Sequence, residues 1–241
     1  MTVQPPLLDA RDLVMRFGGV TAIDGVGMTI REGELRCLIG PNGAGKSTFF
    51  KMLSGQLRPT SGDVLLRGRS IVGLPASRIA RLGVGVKTQT PSVFDGLTAL
   101  EGVRVAADAV LPAQLARRRA DEALERMRIG HLADLVVGRL AHGQRQLVEL
   151  AMVLAQAPDL ILLDEPAAGM TGAEVERLGD LIVELARSSS VIVVEHDMDF
   201  IRRIARTVTV FNRGRVLAEG PAEEVMADPR VRDVYLGKEA A

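Results

Sequence analysis

The chain is predicted to fold as α/β, a mostly parallel sheet wrapped by helices, and three observations carry that prediction. A glycine-rich turn, "GPNGAGKST", joins the apolar run Leu35 to Ile39 to the helix-like "TFFKMLSG". Two further apolar runs, "DLILLDE" and "VIVVEHD", flank a helical pattern, which is the rhythm of a βαβ unit. Between the first run and these two lies a stretch of helical periodicity that reads as an inserted lobe.

Taken in order, the segment from Leu7 to Ile30 alternates short apolar stretches, "LVMRF" and "VGMTI", with Gly and Asp, as strands joined by tight turns do. After the glycine-rich turn and its helix, "PTSG" signals another turn, and "DVLLRG" reads as a strand assigned to the α/β core. Beyond "GVGVKTQTP" the character becomes helical. Thr98 and Glu101 form a candidate capping box, and helices are predicted over 113–128 and 144–155. A helix over 173–187, opened by Thr171 and Glu174, then links the two later strands. "TVTVFNRGRVLAEG" predicts a hairpin about Asn212 to Gly214, followed by short helices. The expected organisation is one domain, 1–241: a β-rich lead-in at 7–34, an α/β core and tail at 35–89 and 158–241, and a helical subdomain at 90–157.

Composition narrows the function. Lys plus Arg and Asp plus Glu each total 30 in 241 residues, so no global basic field favours nucleic acid, and none is expected as a partner. The single cysteine, Cys37, precludes an internal disulfide; set in an apolar strand, it reads as a small buried hydrophobe in a reducing compartment. No run approaches the ~18 apolar residues of a membrane span, and "MTVQPPLLDARD" lacks the basic head and apolar core of a signal peptide. The chain is expected to be soluble.

The turn carries the chemistry. Gly40, Pro41, Asn42, Gly43, Ala44, Gly45, Lys46, Ser47 and Thr48 fit G-x-x-x-x-G-K-[ST], in which side-chain-free positions let backbone N–H groups surround a phosphate. The helix that follows aims its unpaired N–H groups and positive dipole end at the same anion. Lys46 is placed to reach the β/γ-phosphates and Ser47 to ligate Mg²⁺. In "LILLDEP" an apolar strand ends in Asp164 and Glu165, two carboxylates at the sheet edge where a nucleotide would lie. Asp164 suits the metal, and Glu165 suits the polarisation of an attacking water. Gln89, after its own strand, has an amide that can ligate Mg²⁺, and His196, after another, is placed for a phosphate contact. No Cys/His cluster has zinc-ligand spacing.

In order and spacing, the run Gly40 to Thr48, Gln89, "LAHGQ" at Leu140, Ala141, His142, Gly143 and Gln144, "LILLDEP" and "VVEHD" resembles the Walker A, Q-loop, signature, Walker B and H-loop of ATP-binding cassette proteins. The resemblance spans nearly the whole chain. It implies a P-loop NTPase core with an antiparallel β subdomain and an inserted helical subdomain, ATP and Mg²⁺ as ligands, and a dimer in which each signature meets the partner's ATP. "MRFGG" is similar to the family's adenine-stacking loop, which makes Phe17 the aromatic candidate; ordinary core packing is the alternative.

Within the family, "RFGGVTAIDGV", "AAGMT" and the closing "GRVLAEGPAEEVMADPRVRDVYLG" look like ATPase subunits of branched-chain amino-acid importers, especially the urea or short-chain amide branch. The partners so implied are a second ATPase subunit, identical or, as the resemblance favours, paralogous, together with integral membrane permeases and, indirectly, a solute-binding protein. The implied location is the cytoplasmic face of the membrane, and the permeases are expected to meet a groove near Gln89 to Val103. Two alternatives stand beside transport: a cassette ATPase acting on DNA or ribosomes, and a poorly hydrolysing nucleotide switch. The first usually brings coiled-coil insertions, a second cassette or basic extensions, which this sequence lacks. The second is raised by Ala141, where the family pattern has Ser; His142, where it has Gly, is a possible added donor to the partner's γ-phosphate.

Overall fold

The computed structural model describes residues 5–89 and 93–235. Its opening strands, β1 (Leu8–Phe17) and β2 (Val20–Ile30), form an antiparallel hairpin turning at Gly18 and Gly19. Strand β3 (Leu35–Ile39) leads through the glycine-rich loop to α1 (Lys46–Leu53), and then come β4 (Ser61–Leu66), β5 (Arg69–Ser70), α2 (Ala76–Arg81) and β6 (Val84–Lys87). A helical insertion follows, with α3 (Ala99–Asp108), α4 (Ala113–Arg126) and α5 (His142–Ala155). The chain then returns through β7 (Leu160–Asp164), α6 (Gly172–Leu185), β8 (Ser190–Val194), α7 (Met198–Ile204) and the hairpin β9 (Thr207–Asn212) to β10 (Arg215–Pro221). It closes with α8 (Ala222–Ala227) and α9 (Pro229–Tyr235).

Among the described residues these strands make two sheets. One runs β10-β9-β3-β8-β7-β6, parallel except for its β10 edge; the other runs β2-β1-β4-β5 and is antiparallel. Every residue of β3, β7 and β8 is buried, because the parallel sheet is covered on both faces. Alternate side chains serve two cores. Cys37, Ile161, Leu163, Val191 and Val193 face the helices α3 to α7, while Leu38, Leu160, Leu162, Ile192 and Val194 face α1 and the antiparallel sheet. Each such aliphatic side chain contributes about 1.5–3 kcal/mol by leaving water. Cys37 is one of these packing residues: burial, and then the nearby Glu195 charge, push its thiol up to about 12.

One boundary differs from the sequence expectation. The stretch 61–70, assigned with 35–89 to the α/β core, instead joins the lead-in, with β4 pairing antiparallel to β1 in the register Leu8↔Leu66 and Ala10↔Val64. The reason is its pattern. Val64 and Leu66 are buried while the residues between and before them are not, so β4 has one apolar face and fits a half-covered antiparallel sheet rather than the doubly covered parallel one.

In the insertion, α3 opens on a full capping box, Thr98 accepting from the Glu101 N–H at 3.2 Å and Glu101 accepting from the Thr98 N–H at 2.8 Å. Ala116, Ala120 and Ala123 line the buried face of α4, where their small size lets it pack closely on α3 and α5. A buried ion pair, Lys87 with Glu149 at 3.4 Å, ties β6 to α5 and so joins the core to the insertion; burial holds the Lys87 ammonium below its ordinary range, partly offset by Glu149. No helix among the described residues is long and apolar enough to cross a membrane.

Candidate functional site

The carboxyl ends of β3, β6, β7 and β8 open on the same edge of the parallel sheet, where a doubly wound fold places its ligand. The glycine-rich loop leaves β3 there. Gly45, the residue before α1, sits at φ +105 with Ala22 O 2.8 Å from where a side chain would begin, so neither conformation nor space admits another residue. No side chain caps α1, which leaves its first N–H groups turned toward the cleft. That cleft is lined by Ala22, the run from Asn42 to Thr48, and Glu165. Lys46 is buried, and its Nζ donates to Gly40 O at 2.5 Å and Pro41 O at 3.0 Å. Desolvation lowers its pKa, while Glu165 and Asp164 hold it up. An ammonium parked on carbonyls in this way has donors ready for phosphate oxygens.

Strand β7 delivers the carboxylates. Asp164 is its last residue and is buried; desolvation, reinforced by Glu165, raises its pKa against the pull of Lys51 and Lys87. Immediately after it the chain breaks from the extended form, with Glu165 at φ +47, a left-handed conformation that costs a side-chain-bearing residue on the order of 1 kcal/mol or more. The Glu165 N–H is held by Val194 O at 2.9 Å. Its carboxylate accepts from Gln89 Nε2 at 2.9 Å and lies 3.6 Å from His196 Nδ1. Three predicted residues from three different strand ends therefore meet.

Ser47, Asp164 and Gln89 also share a cleft beside the loop, together with Lys51 and Thr88. A hydroxyl, a carboxylate and an amide oxygen are hard donors suited to Mg²⁺, which takes few protein ligands when phosphates supply the rest. Among the described residues no group of three or more His, Cys, Asp and Glu could hold a metal, so this one-carboxylate set is of the substrate-completed kind. The Gln89 amide fits both tasks, since donating through nitrogen to Glu165 leaves its oxygen for the ion.

Phe17 ends β1 opposite Val20 and is 47% exposed, so it is not a core residue. Its hairpin continues directly into Ala22, which lines the phosphate-loop cleft. His196 lies two residues past β8 and is well exposed.

Leu140 to Gln144 do not line either cleft, so within one molecule they are not brought to the loop. Ala141 precedes α5 and has no side-chain acceptor; Gln144 Oε1 accepts the Ala141 N–H at 3.0 Å, which is half of a capping box. His142 engages one ring nitrogen within the molecule, its Nε2 donating to Ala168 O at 3.0 Å. Gln146 Nε2 lies 3.3 Å from the same ring nitrogen. A Cβ at Gly143 would meet the Glu174 carboxylate in the first turn of α6, the end of a flexible side chain that would have to shift. The start of α5 is thus locked to the segment after β7.

One functional neighbour escaped sequence reading. Glu195, between β8 and His196, is buried, and its carboxylate accepts the N–H groups of Ala167 and His196, each at 3.1 Å. An acid closing the apolar run "VIVV" was the available signal.

The chain as a whole is similar to known proteins. The chain matches the family described as ABC transporter over residues 23–168 and that described as branched-chain amino acid ATP-binding cassette transporter over residues 215–241. It is 38% identical to the high-affinity branched-chain amino acid transport ATP-binding protein LivG of Salmonella typhimurium, across 97% of this chain and 98% of LivG. Its fold is similar to the ADP conformation of MJ1267, an ATP-binding cassette of an ABC transporter, with TM-score 0.87 and 27% identity over 96% of this chain and 99% of that one. It is also similar to the dimeric post-hydrolysis state of the cassette MJ0796 bound to ADP and Pi, with TM-score 0.79 and 25% identity over 89% and 98% of the two chains.

Proposed function

Since the chain belongs to the ABC transporter family as an ATP-binding and ATP-hydrolysing subunit, we propose that it drives uptake of branched-chain amino acids through membrane permeases, paired with a second ATPase subunit at the cytoplasmic face. The observation that carries the catalytic reading is Glu165, held by Gln89 and beside His196 over the phosphate loop. LivG's full-length similarity and the match over 215–241 favour branched-chain amino acids as the solute over urea or short-chain amides. Loss of leucine, isoleucine and valine uptake on deleting this chain, with urea uptake intact, would support that choice; the reverse pattern would overturn it.

In this reading the loop N–H groups, Lys46 and the start of α1 bind the phosphates of ATP, with Phe17 against the adenine. Ser47, Asp164 and the Gln89 oxygen would hold Mg²⁺, whose chemistry when bound would be to neutralise phosphate charge. Glu165 takes a proton from water as the water oxygen bonds to the γ-phosphorus and the bond to the bridging oxygen breaks, leaving ADP and phosphate. Because Gln89 spans the metal ligands and the base, ion binding and base position are linked. Residues Leu140 to Gln144 act on the nucleotide of the second subunit, and closure of the pair is passed to the permeases at the groove near Gln89 to Val103, of which residues 90–92 lie outside those described.

His196 contributes a contact to the γ-phosphate. His196→Ala is expected to slow turnover more than it weakens ATP binding; equal loss of both in steady-state assay and nucleotide titration would make it a structural histidine.

Ala141→Ser would add a hydroxyl at the helix start, able to cap α5 and to meet the opposite γ-phosphate. A charge-assisted hydrogen bond is worth about 1.5–3 kcal/mol, so closure tightens by up to roughly ten- to a hundredfold, less whatever Gly143 N–H and the helix dipole already provide. In a mixed pair carrying one Lys46→Ala subunit, the gain should depend on which subunit holds the serine; equal effects from both placements would exclude action across the pair.

A further inference from the structure

We propose that Glu195 is a positioning residue for hydrolysis, a buried carboxylate that braces together the two loops carrying Glu165 and His196. The proposal rests on the reading of Glu165 as the base. Its geometry is that of a cross-brace. One carboxylate oxygen accepts the N–H of Ala167, two residues beyond Glu165, and the other accepts the N–H of His196, each at 3.1 Å. The Glu195 N–H is itself held by Leu38 O at 3.3 Å, on the strand that leads into the phosphate loop. The side chain thereby ties two loops together, while its own backbone is anchored to β3.

The residue type fits that task and little else. Glu195 is 2% exposed, and among the described residues the only side chain at ion-pair distance is the His196 ring, whose Nδ1 lies 3.8 Å from Glu195 Oε2 and 3.6 Å from Glu165 Oε1. Burying an acid without a Lys or Arg partner costs free energy that an apolar side chain at the end of "VIVV" would not. Burial accordingly pushes its pKa up, while the Ala167 and His196 N–H groups hold it down. Two separate backbone donors demand an acceptor on each arm, which an ionised carboxylate supplies; an amide would set its own N–H against one of them. The loop so braced carries strain, because Glu165 stands in a left-handed conformation; the turn behind it is closed by the Ala168 N–H to Glu165 O bond at 3.2 Å and the Met170 N–H to Ala167 O bond at 3.1 Å.

The test is Glu195→Gln and Glu195→Asp in the full chain assembled with its permeases and paired subunit, with kcat, KM for ATP and melting temperature measured beside wild type and Glu165→Gln. The amide cannot satisfy both donors and the shorter acid cannot span them, so kcat should fall roughly ten- to a hundredfold in each while KM stays within about twofold. Unchanged kcat in both variants overturns the proposal. So does a parallel loss of kcat, ATP affinity and melting temperature, which would make Glu195 a support of the fold. The Glu165→Gln control separates the two failures: if it retains full activity, the reading of the base has failed, whereas if it is inactive and the Glu195 variants are not, only the brace has.

Discussion

Glu165→Gln is expected to hold ATP and hydrolyse it roughly 10²-fold or more slowly than wild type. The amide is nearly isosteric, so the Val194 carbonyl still takes the residue's N–H and the left-handed turn is kept. Asp164, Ser47 and the phosphate loop are untouched, and ATP affinity should be preserved. What disappears is the group that accepts water's proton. The Gln89 bond changes character as well: Gln89 Nε2 now donates to a carboxylate at 2.9 Å and would face an amide, able to bond only to its oxygen. ATP should therefore accumulate unhydrolysed in the closed pair. Filter-binding of ATP together with phosphate release checks both halves, and normal turnover would remove Glu165 from the role of base.

Lys46→Ala should abolish tight ATP binding. Removing the ammonium deletes donors to the β/γ-phosphates in a partly dehydrated cleft, where each charge-assisted hydrogen bond is worth about 1.5–3 kcal/mol; two of them amount to roughly 10²- to 10⁴-fold in affinity. A second cost falls on the empty protein, because the Gly40 and Pro41 carbonyls lose their shared donor and the loop loses its internal tether. Titration with a fluorescent ATP analogue measures the result. Wild-type affinity in this variant would contradict the phosphate-loop assignment.

What could be read from the sequence divides along physical lines. The phosphate loop, the carboxylates after "LILL" and the capping boxes at Thr98 and Thr171 depend on neighbours a few residues away, and local chemistry constrains them tightly. The assignment of 61–70 went astray because a six-residue strand does not announce its partner; its alternation of buried and exposed positions was the usable clue. His142 looked free because its acceptor, Ala168, lies 26 residues away, and Glu195 looked incidental because its donor, Ala167, lies 28 residues back. Phe17 was poised between core and ligand until the fold left it half exposed at the tip of a hairpin leading to the cleft. Side-chain partners set by tertiary approach leave little trace in a linear pattern.

The locking of α5 to the segment after β7 bears on how two sites communicate. Within one molecule, the residues proposed to serve the opposite nucleotide, Leu140 to Gln144, are bonded through His142 to Ala168, three residues from Glu165.

The most direct measurement is the ATPase rate of the purified complex, this chain with its permeases and paired subunit in proteoliposomes, with and without binding protein loaded with a branched-chain amino acid. Hydrolysis at this site, coupled to import, predicts that loaded binding protein raises the rate and that Glu165→Gln in this chain removes the increase while ATP remains bound. A rate indifferent to loaded binding protein, or a stimulated rate that survives Glu165→Gln, would contradict it.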